Sequence, residues 1–344
     1  MEIWRDISRF PPASGEWQIL SSGKVISTGE QNVKNLALRW FLTQKKLIST
    51  PASKYFLPAI CAPEISSITH KSFLKRFRVF FYIFGFYLAI FIAMALVSDQ
   101  PQRFYKPIAL MLLGILYFYI EFQIALRPYT NISERALFYN WLFARNNTHL
   151  NFAFLALFAV GLGQFLFHHY VGNLETLVIG YGTYFPAIEE GEIWRYAVGP
   201  FIHSGAIHWI VNAFFLIYVI KMIGDLANKN LFLLYLASLP ATAIAVHIFA
   251  TLTSSPMEAL VGISGGIYFL FGWLLIITHN KRQFFPKHFS TSLALIVAAN
   301  LLLPELLSYN SSFTAHISGF LLGAFAGLLG LASNFQQVDR TTSH

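Results

Sequence analysis

Eight apolar runs, each close to the length of a membrane-spanning helix, follow one another along the chain after residue 78. A helix rises about 1.5 Å per residue, so about 20 residues cross the roughly 30 Å hydrocarbon core of a bilayer. The runs cover residues 79–97, 108–126, 150–167, 206–223, 231–252, 261–278, 291–307 and 313–331. The pattern therefore predicts an all-α polytopic membrane protein.

The segment before these runs has a different character. It is rich in proline, glycine and charge, and it ends on a basic cluster of Lys71, Lys75, Arg76 and Arg78. We therefore expect the chain to have four parts. They are a small N-terminal cytosolic region at 1–76, two additional transmembrane helices with their connecting loop at 77–149, a six-helix core at 150–331 and a cytosolic tail at 332–344.

Composition excludes a disordered chain and an ordinary soluble domain. Of the 344 residues, 56% are hydrophobic and 12% are charged, whereas a soluble domain carries about 25% charged residues. A net charge of +8 is an orientation signal in a membrane protein, so we expect no nucleic-acid partner. Cys61 is the one cysteine, which excludes an intramolecular disulfide and a cysteine-based zinc cluster.

The basic residues also predict which way the chain crosses the membrane. With a cytosolic N-terminus, 21 of the 24 lysine and arginine residues lie on the cytosolic side, and Arg103, Lys106 and Arg195 lie outside. Cytosolic segments of membrane proteins carry such an excess. We therefore expect an integral multi-pass protein with both termini in the cytosol. The acidic N-terminus lacks targeting character, which fits a bacterial cytoplasmic membrane best.

Polar residues gather at the outer ends of three core helices. The second, fourth and sixth core helices all run inward, so their N-terminal ends share one face of the membrane. These ends carry His203, His208 and Asn212, then Ser264, and finally His316. Ionisable residues inside a membrane are costly unless they are paired, so we expect these residues to meet at one depth as a functional site.

Ser264 lies two residues after Gly262 and directly before Gly265, in a run that matches G-x-S-x-G. The nucleophile elbow of soluble hydrolases has that pattern, but it requires a preceding strand and a soluble sheet, which this sequence lacks. A lone serine in a membrane helix is usually a packing residue. The small neighbours nevertheless leave room for a substrate carbonyl, which makes Ser264 a candidate nucleophile.

His316 is the candidate general base for that serine. It is followed by Gly319 and Gly323, a spacing that lets another helix pack closely against this one. In that position His316 could take the Ser264 proton, although a histidine there could also simply cap a neighbouring backbone. Neither helix carries an Asp or Glu near these residues. We therefore expect a Ser–His dyad, with the base packed against Tyr268.

His208 and Asn212 are four residues apart and so share one face of the second core helix. Both side chains can donate hydrogen bonds to a tetrahedral oxyanion, although the pair could instead be a polar clasp between helices. His203 is five residues from His208, which corresponds to about 140° around a helix. Because such a pair does not share a face and no His-Glu-x-x-His occurs, we expect neither a metal nor a cofactor.

Together these motifs resemble the rhomboid family of intramembrane serine proteases over residues 150–331, about half of the chain. The motifs occur in the family's order. They are residues 192–195 (EIWR), 201–212 with its HWIVN segment, 262–265 (GISG) with Tyr268, and 315–323 (AHISGFLLG). The chain departs from the common six-helix bacterial form in its N-terminal part, where two extra helices precede the core.

The resemblance assigns a role to each candidate residue. It implies that Ser264 is the nucleophile, that His316 is the general base, and that His208 and Asn212 stabilise the oxyanion. It implies further supporting roles for residues of the loop and the packed helices. These are Tyr268 stacking on His316, Trp194 and Arg195 in a membrane-dipping first loop, His203 bracing that loop, and the small residues Gly262, Gly265, Gly319 and Gly323.

We therefore expect an intramembrane serine endopeptidase that cleaves transmembrane substrate proteins near the outer end of their helix. Its partners would be those substrates and the membrane lipids. Two alternatives remain at this point: a non-catalytic rhomboid-like protein that binds or chaperones membrane clients, and a transporter that uses the same polar residues as a path. The sequence leaves open the natural substrate, the role of the N-terminal region and the oligomeric state.

Overall fold

The computed structural model describes residues 3–38, 46–126, 130–144, 148–171, 173–254, 257–307 and 313–334. The helices in chain order are α1 (Glu30–Leu38), α2 (Ser66–Val97), α3 (Tyr105–Leu126), α4 (Thr130–Ala144), α5 (Thr148–Val171), α6 (Leu174–Tyr181), α7 (Phe185–Glu189), α8 (Arg195–Val198), α9 (Ala206–Ile223), α10 (Asn230–Thr253), α11 (Ser264–Asn280), α12 (Phe289–Leu307) and α13 (Phe313–Leu328). The strands are β1 (Gln18–Ser21), β2 (Lys24–Ser27), β3 (Leu47–Ser49), β4 (Thr183–Tyr184) and β5 (Ala259–Leu260).

The chain divides into two compact units. The first comprises Met1–Arg145 and Lys281–Leu307, and the second comprises Asn146–Asn280 and Ser308–His344.

The first unit opens with a three-stranded antiparallel sheet in the order β2-β1-β3. Ser22 and Gly23 connect β1 to β2 with φ values of 51° and 78°, the left-handed backbone that a two-residue hairpin requires. Val33 of α1 packs with Ile48 and Ile65 into a small buried core. The hydrophobic pattern assigned no fold to this region, because the strands are only three or four residues long.

In the same unit, α2 and α3 are long apolar helices that pack through phenylalanine rings. Phe80 and Phe118 stack with their centroids 4.6 Å apart, and Phe77 contacts Phe118 and Phe122 edge to face. Aromatic pairs in these geometries contribute about 0.5–1.5 kcal/mol beyond the area that they bury. The two extra apolar helices that the pattern predicts are therefore α2 and α3, although α2 begins already at Ser66, and the pattern did not predict α4.

A buried polar cluster joins α3, α4 and α12. Arg135 donates from Nη1 to Glu121 at 2.9 Å, and from Nη2 to the Ser292 hydroxyl at 2.8 Å and the His288 carbonyl at 2.9 Å. The Ser292 hydroxyl also donates to Glu121. Helix α12, which we expect to be the fifth helix of the core, thus packs within the first unit. The predicted domain boundaries stay a prediction.

The second unit is built around α11 and α13, which pack closely over glycine. A Cβ added to Gly319 would overlap the carbonyl oxygen of Gly265, and one added to Gly323 would overlap the carbonyl oxygen of Phe269. Most of α11 is buried between its neighbours. The spacing of four residues between Gly319 and Gly323 therefore provides the smooth helix face that the sequence suggested.

The fold expected from the pattern, a predominantly helical polytopic membrane protein, is confirmed. Among the described residues, four helical stretches are long and apolar enough to cross a membrane: Ser66–Val97, Pro101–Leu126, Ala206–Ile223 and Asn230–Thr253. The other apolar runs form shorter apolar helices or, in α11, a buried one. The run at 261–278 differs at its start, since its helix begins only at Ser264, after a strand and a turn.

Candidate active site

Ser264 is the first residue of α11, and a glycine turn places it there. Strand β5 ends at Leu260, and Gly262 adopts a φ of +100°, a conformation that side-chain-bearing residues rarely adopt. A Cβ on Gly262 would also lie 2.7 Å from Cε1 of His208. Both constraints require glycine, so the chain turns tightly from β5 into α11 and presents Ser264 at the N-terminal end of the helix.

The structure brings Ser264 and His316 into hydrogen-bond contact across the glycine interface. Nε2 of His316 lies 3.1 Å from Oγ of Ser264, which is within the range for a nucleophile and its base. The imidazole is 7% exposed, and its Nδ1 has no hydrogen-bond partner among the described residues. The ring of Tyr268 lies 4.3 Å from the imidazole, centroid to centroid, at an angle of 33°. Tyr268 therefore packs against the imidazole.

His208 and Asn212 lie against Gly262, two residues before Ser264. A Cβ on Gly262 would lie 2.9 Å from Nε2 of His208 and 3.3 Å from Nδ2 of Asn212. Nδ1 of His208 accepts from the Ser204 backbone N–H at 3.5 Å and lies 2.9 Å from the Ser204 hydroxyl, so the neutral ring carries its proton on Nε2. The Asn212 Nδ2 group is buried and has no acceptor in the described part of the chain. Two N–H donors therefore face the space beside the Gly262 backbone.

His203 lies in the loop just before α9 rather than on the helix, so the separation of 140° expected for a helical pair does not apply. Its ring lies 5.3 Å from that of His208. Its Nδ1 lies 3.0 Å from the Phe201 carbonyl, and its backbone N–H donates to Gln164 at 3.0 Å. Burial lowers the pKa of His203 to about 4, with His208 adding to the effect. The ring is therefore neutral at pH 7.

Gln164 is a residue that the sequence analysis missed. Its amide bonds both the backbone N–H and the carbonyl of His203, and so ties α5 to the loop before α9. The available signal was an amide in the interior of the apolar run at 150–167, whose other amide, Asn151, lies at the start of the run. Such a residue is costly in lipid unless it is hydrogen-bonded, but its partner cannot be identified from spacing.

Arg195 organises the loop between α5 and α9. The side chain is 5% exposed, and its Nη1 donates to the carbonyls of Ile179 at 2.8 Å and Gly182 at 3.1 Å. Nε and Nη2 both bond Glu192 at 2.8 Å. Trp194 is exposed, and the Arg195 guanidinium lies 4.9 Å from the centre of its ring. The arginine therefore holds the loop backbone, while the indole faces outward.

The large apolar cavity of this unit is lined by neighbours of these groups, such as Ile263, and not by the groups themselves. It has a volume of about 380 Å³ and opens between α5, α9 and α10. Its lining includes Leu157, Leu216 and Phe232, and neither Ser264 nor His316 belongs to it. The cavity therefore does not define the candidate site. Within the described ranges, no three His, Cys, Asp or Glu side chains come together as a possible metal site.

Comparison with known proteins finds similarity to one family. Residues 190–333 match the family model of the rhomboid domain. Over 161 residues, 46% of this chain, the sequence is 31% identical to rhomboid protease GluP of Bacillus subtilis, and the match spans 30% of that protein. Over 172 residues, again 46% of this chain, it is 32% identical to rhomboid-related protein 2 of Mus musculus, and the match spans 53% of that protein. The resemblance to the rhomboid family is therefore shown for residues 190–333, which match its domain.

Proposed function

We propose that this chain is an intramembrane serine endopeptidase that hydrolyses peptide bonds of transmembrane substrate proteins near the outer face of the membrane. The observation that carries the proposal is the 3.1 Å contact between Oγ of Ser264 and Nε2 of His316. The two residues are 52 positions apart in sequence. They meet because α11 and α13 pack closely over Gly319 and Gly323.

The reaction begins when Oγ of Ser264 attacks the scissile carbonyl and Nε2 of His316 accepts the hydroxyl proton. The resulting tetrahedral oxyanion receives hydrogen bonds from Nε2–H of His208 and Nδ2–H of Asn212. His316 then gives its proton to the leaving amine, which departs and leaves an ester on Ser264. A water molecule attacks that ester with His316 again as the base, and the acid product leaves as the hydroxyl is restored.

A dyad without a third acidic residue requires another way to orient the base. For Nε2 to accept the serine proton, the neutral ring of His316 must carry its proton on Nδ1. The ring is held instead by packing, with Tyr268 at 4.3 Å on one side. A buried N–H without a partner costs about 1–3 kcal/mol, so we infer that packing between α11 and α13 supports this tautomer.

Membrane orientation supports cleavage near the outer face. The positive-inside distribution favours cytosolic N- and C-termini. With that orientation, the N-terminal ends of α11 and α13, which carry Ser264 and His316, lie toward the outside. The partners are then transmembrane substrates and membrane lipids, and a bacterial cytoplasmic membrane suits the charge pattern. We also propose the four-part division of the chain at residues 76, 149 and 331, which rests on the apolar runs of the sequence.

The decisive experiment measures cleavage of a model single-span substrate by the full chain in proteoliposomes. We expect Ser264→Ala and His316→Ala to abolish cleavage, and a serine-reactive fluorophosphonate probe to label the wild type but not Ser264→Ala. Ser318→Ala, a serine change on α13 outside the site, is the matched control and should cleave normally. Undiminished cleavage by a folded Ser264→Ala protein would eliminate the mechanism and favour a client-binding role.

A further inference from the structure

A further histidine, outside the catalytic set, bonds two of the short helices in the loop that precedes α9. Nδ1 of His247 on α10 lies 2.6 Å from the Tyr196 hydroxyl of α8. Nε2 of the same ring lies 3.3 Å from Glu189 of α7. The imidazole also stacks on Phe185, with centroids 4.4 Å apart and planes 3° from parallel. One side chain of α10 thus contacts both α7 and α8.

The hydrogen bonds assign the protons of this cluster. A carboxylate only accepts, so Glu189 requires a proton on Nε2 of His247, and in the neutral ring Nδ1 then accepts from the Tyr196 hydroxyl. Burial raises the pKa of Tyr196, and the charge of Glu189 raises it further. The phenol therefore stays protonated at neutral pH and is the donor in its bond to His247.

The cluster is continuous with the strand that leads into Ser264. Helix α7 directly follows β4, which pairs with β5 through Thr183 opposite Leu260 and Tyr184 opposite Ala259. The backbone N–H of Phe185 also donates to the Glu258 carbonyl at 2.8 Å. Any shift of α7 is therefore transmitted to β5, whose next residues form the turn into Ser264.

The same cluster reaches His316 through packed side chains. Phe185 and Ile188 of α7 share one buried core with Val246 of α10, Leu260 of β5 and Ala315 of α13. Ala315 directly precedes His316 in the chain. Packed cores transmit displacements because they contain little free space. The loop helices, the turn before the serine and the helix that carries the base therefore share one set of contacts.

We propose that His247 is a positioning residue for the reaction. By bonding Tyr196 it holds α7 and α8 against α10, and so fixes the position of the turn before Ser264 and of the part of α13 that carries His316. The inference rests on the function proposed above. It gives α10 a role in catalysis, whereas the sequence motifs assigned no role to any residue of that helix.

The two hydrogen bonds of His247, to Tyr196 and to Glu189, differ in how much they contribute to stability. The Glu189 side chain is 65% exposed, so water competes for its bond to His247 and that bond contributes little. The bond between Tyr196 and His247 is short, at 2.6 Å, and partly buried, so its loss leaves a partly desolvated polar group without its partner. We therefore expect Tyr196 to carry the effect and Glu189 to add little.

The test compares kcat and KM for cleavage of a single-span substrate, per mole of folded protein in proteoliposomes. Tyr196→Phe removes the hydroxyl alone, and His247→Phe keeps the ring stacked on Phe185 but removes both bonds. We expect each variant to lower kcat about five- to tenfold with KM within about twofold. The double variant should be no worse than the worse single one, because both changes break the same bond.

Rescue distinguishes positioning from general stability. His247→Asn returns an amide oxygen near the place of Nδ1, where it can accept from Tyr196, and we expect it to recover most of kcat. Glu189→Gln should change kcat less than twofold. His169→Phe, at the exposed end of α5, is the matched histidine control and should behave as the wild type.

Three results would overturn the inference: unchanged kcat in Tyr196→Phe, an additive double variant, or a His247→Asn protein as slow as His247→Phe. If His247→Phe does not fold, the milder Tyr196→Phe variant decides alone. Failure of the proposed function has a different signature, since the wild type would then not cleave or Ser264→Ala would. A wild type that depends on Ser264 but is indifferent to Tyr196 refutes only the positioning role.

Discussion

Gly323 on α13 lies against the backbone of Phe269 on α11, so closely that a methyl group on Gly323 would overlap the Phe269 carbonyl oxygen. Because that obstacle is backbone, no side-chain rotation can relieve it. The two helices therefore approach at a distance that only glycine allows. This approach is what brings His316, two turns earlier on α13, to the serine at the start of α11.

Gly323→Ala tests that dependence. Overpacked sites typically lose about 1–3 kcal/mol, and a backbone obstacle belongs at the upper end of that range. We expect a lower unfolding temperature in detergent, measured by circular dichroism, and loss of substrate cleavage. The matched control is Gly163→Ala on α5, where an added Cβ meets nothing within 4 Å. The control should keep its activity and gain stability from the better helix propensity of alanine.

Should Gly323→Ala unfold and cleave like Gly163→Ala, the close approach of α11 and α13 would not be needed to align Ser264 with His316. Both variants add one methyl group to a glycine within a helix and so change helix propensity alike. A difference between them therefore reports the effect of packing between α11 and α13.

The sequence could predict the partners of the candidate site because two simple regularities point to them. Helices that run in the same direction place their N-terminal ends on one face, which grouped Ser264 with His316. Glycines spaced by four residues, such as Gly319 and Gly323, indicate a helix face open to close packing. Both regularities depend only on periodicity and direction along the chain, and the helices show both.

Other features depend on which elements become neighbours, and periodicity carries no such information. Gln164 and His247 looked like isolated polar residues in apolar runs, because their partners lie 39 and 51 positions away in sequence. The position of His203 was misjudged because α9 begins only at Ala206. Likewise, the packing of α12 within the first unit depends on Arg135, whose carbonyl and hydroxyl acceptors are distant in sequence.

Asn212→Ala tests the proposed oxyanion donors. Removal of one such donor typically lowers kcat about 10²–10³-fold, and we expect this loss with little change in KM because the bond forms only as the carbonyl oxygen becomes charged. The measurement is steady-state cleavage of a single-span substrate. Asn300→Ala is the matched control, since that amide bonds the Ile296 carbonyl of its own helix. Equal activity of the two variants would remove Asn212 from the mechanism.

Glu121→Gln tests the polar cluster of the first unit. The carboxylate and Arg135 are each only 12–13% exposed, and loss of one partner leaves a nearly buried charge uncompensated. We expect a loss of about 2–3 kcal/mol in the free energy of unfolding, measured by chemical denaturation in detergent. Lys34→Ala, which breaks the exposed pair with Glu30 on α1, should cost less than about 0.5 kcal/mol. Similar losses in both variants would show that the cluster does not stabilise α12.

His203 gives the protein a stability that depends on pH. Its pKa is lowered from 6.5 to about 4 by burial, so the unfolded chain binds the proton more tightly than the folded one. The contribution is therefore fully present above pH 6.5 and is lost as the pH falls toward 4. One pKa unit corresponds to about 1.4 kcal/mol, so we expect His203 alone to remove roughly 2 kcal/mol between pH 6.5 and 5.

The measurement is the free energy of unfolding across that pH range for the wild type and for His203→Gln. The variant has no ring to protonate, so its profile should be flatter by roughly the amount that His203 contributes, even if its stability at pH 7 is lower. His169→Gln, at the exposed end of α5, should retain the wild-type slope. Parallel profiles for the wild type and His203→Gln would mean that the buried ring takes up its proton equally well in the folded and unfolded chain, contrary to its desolvation beside His208.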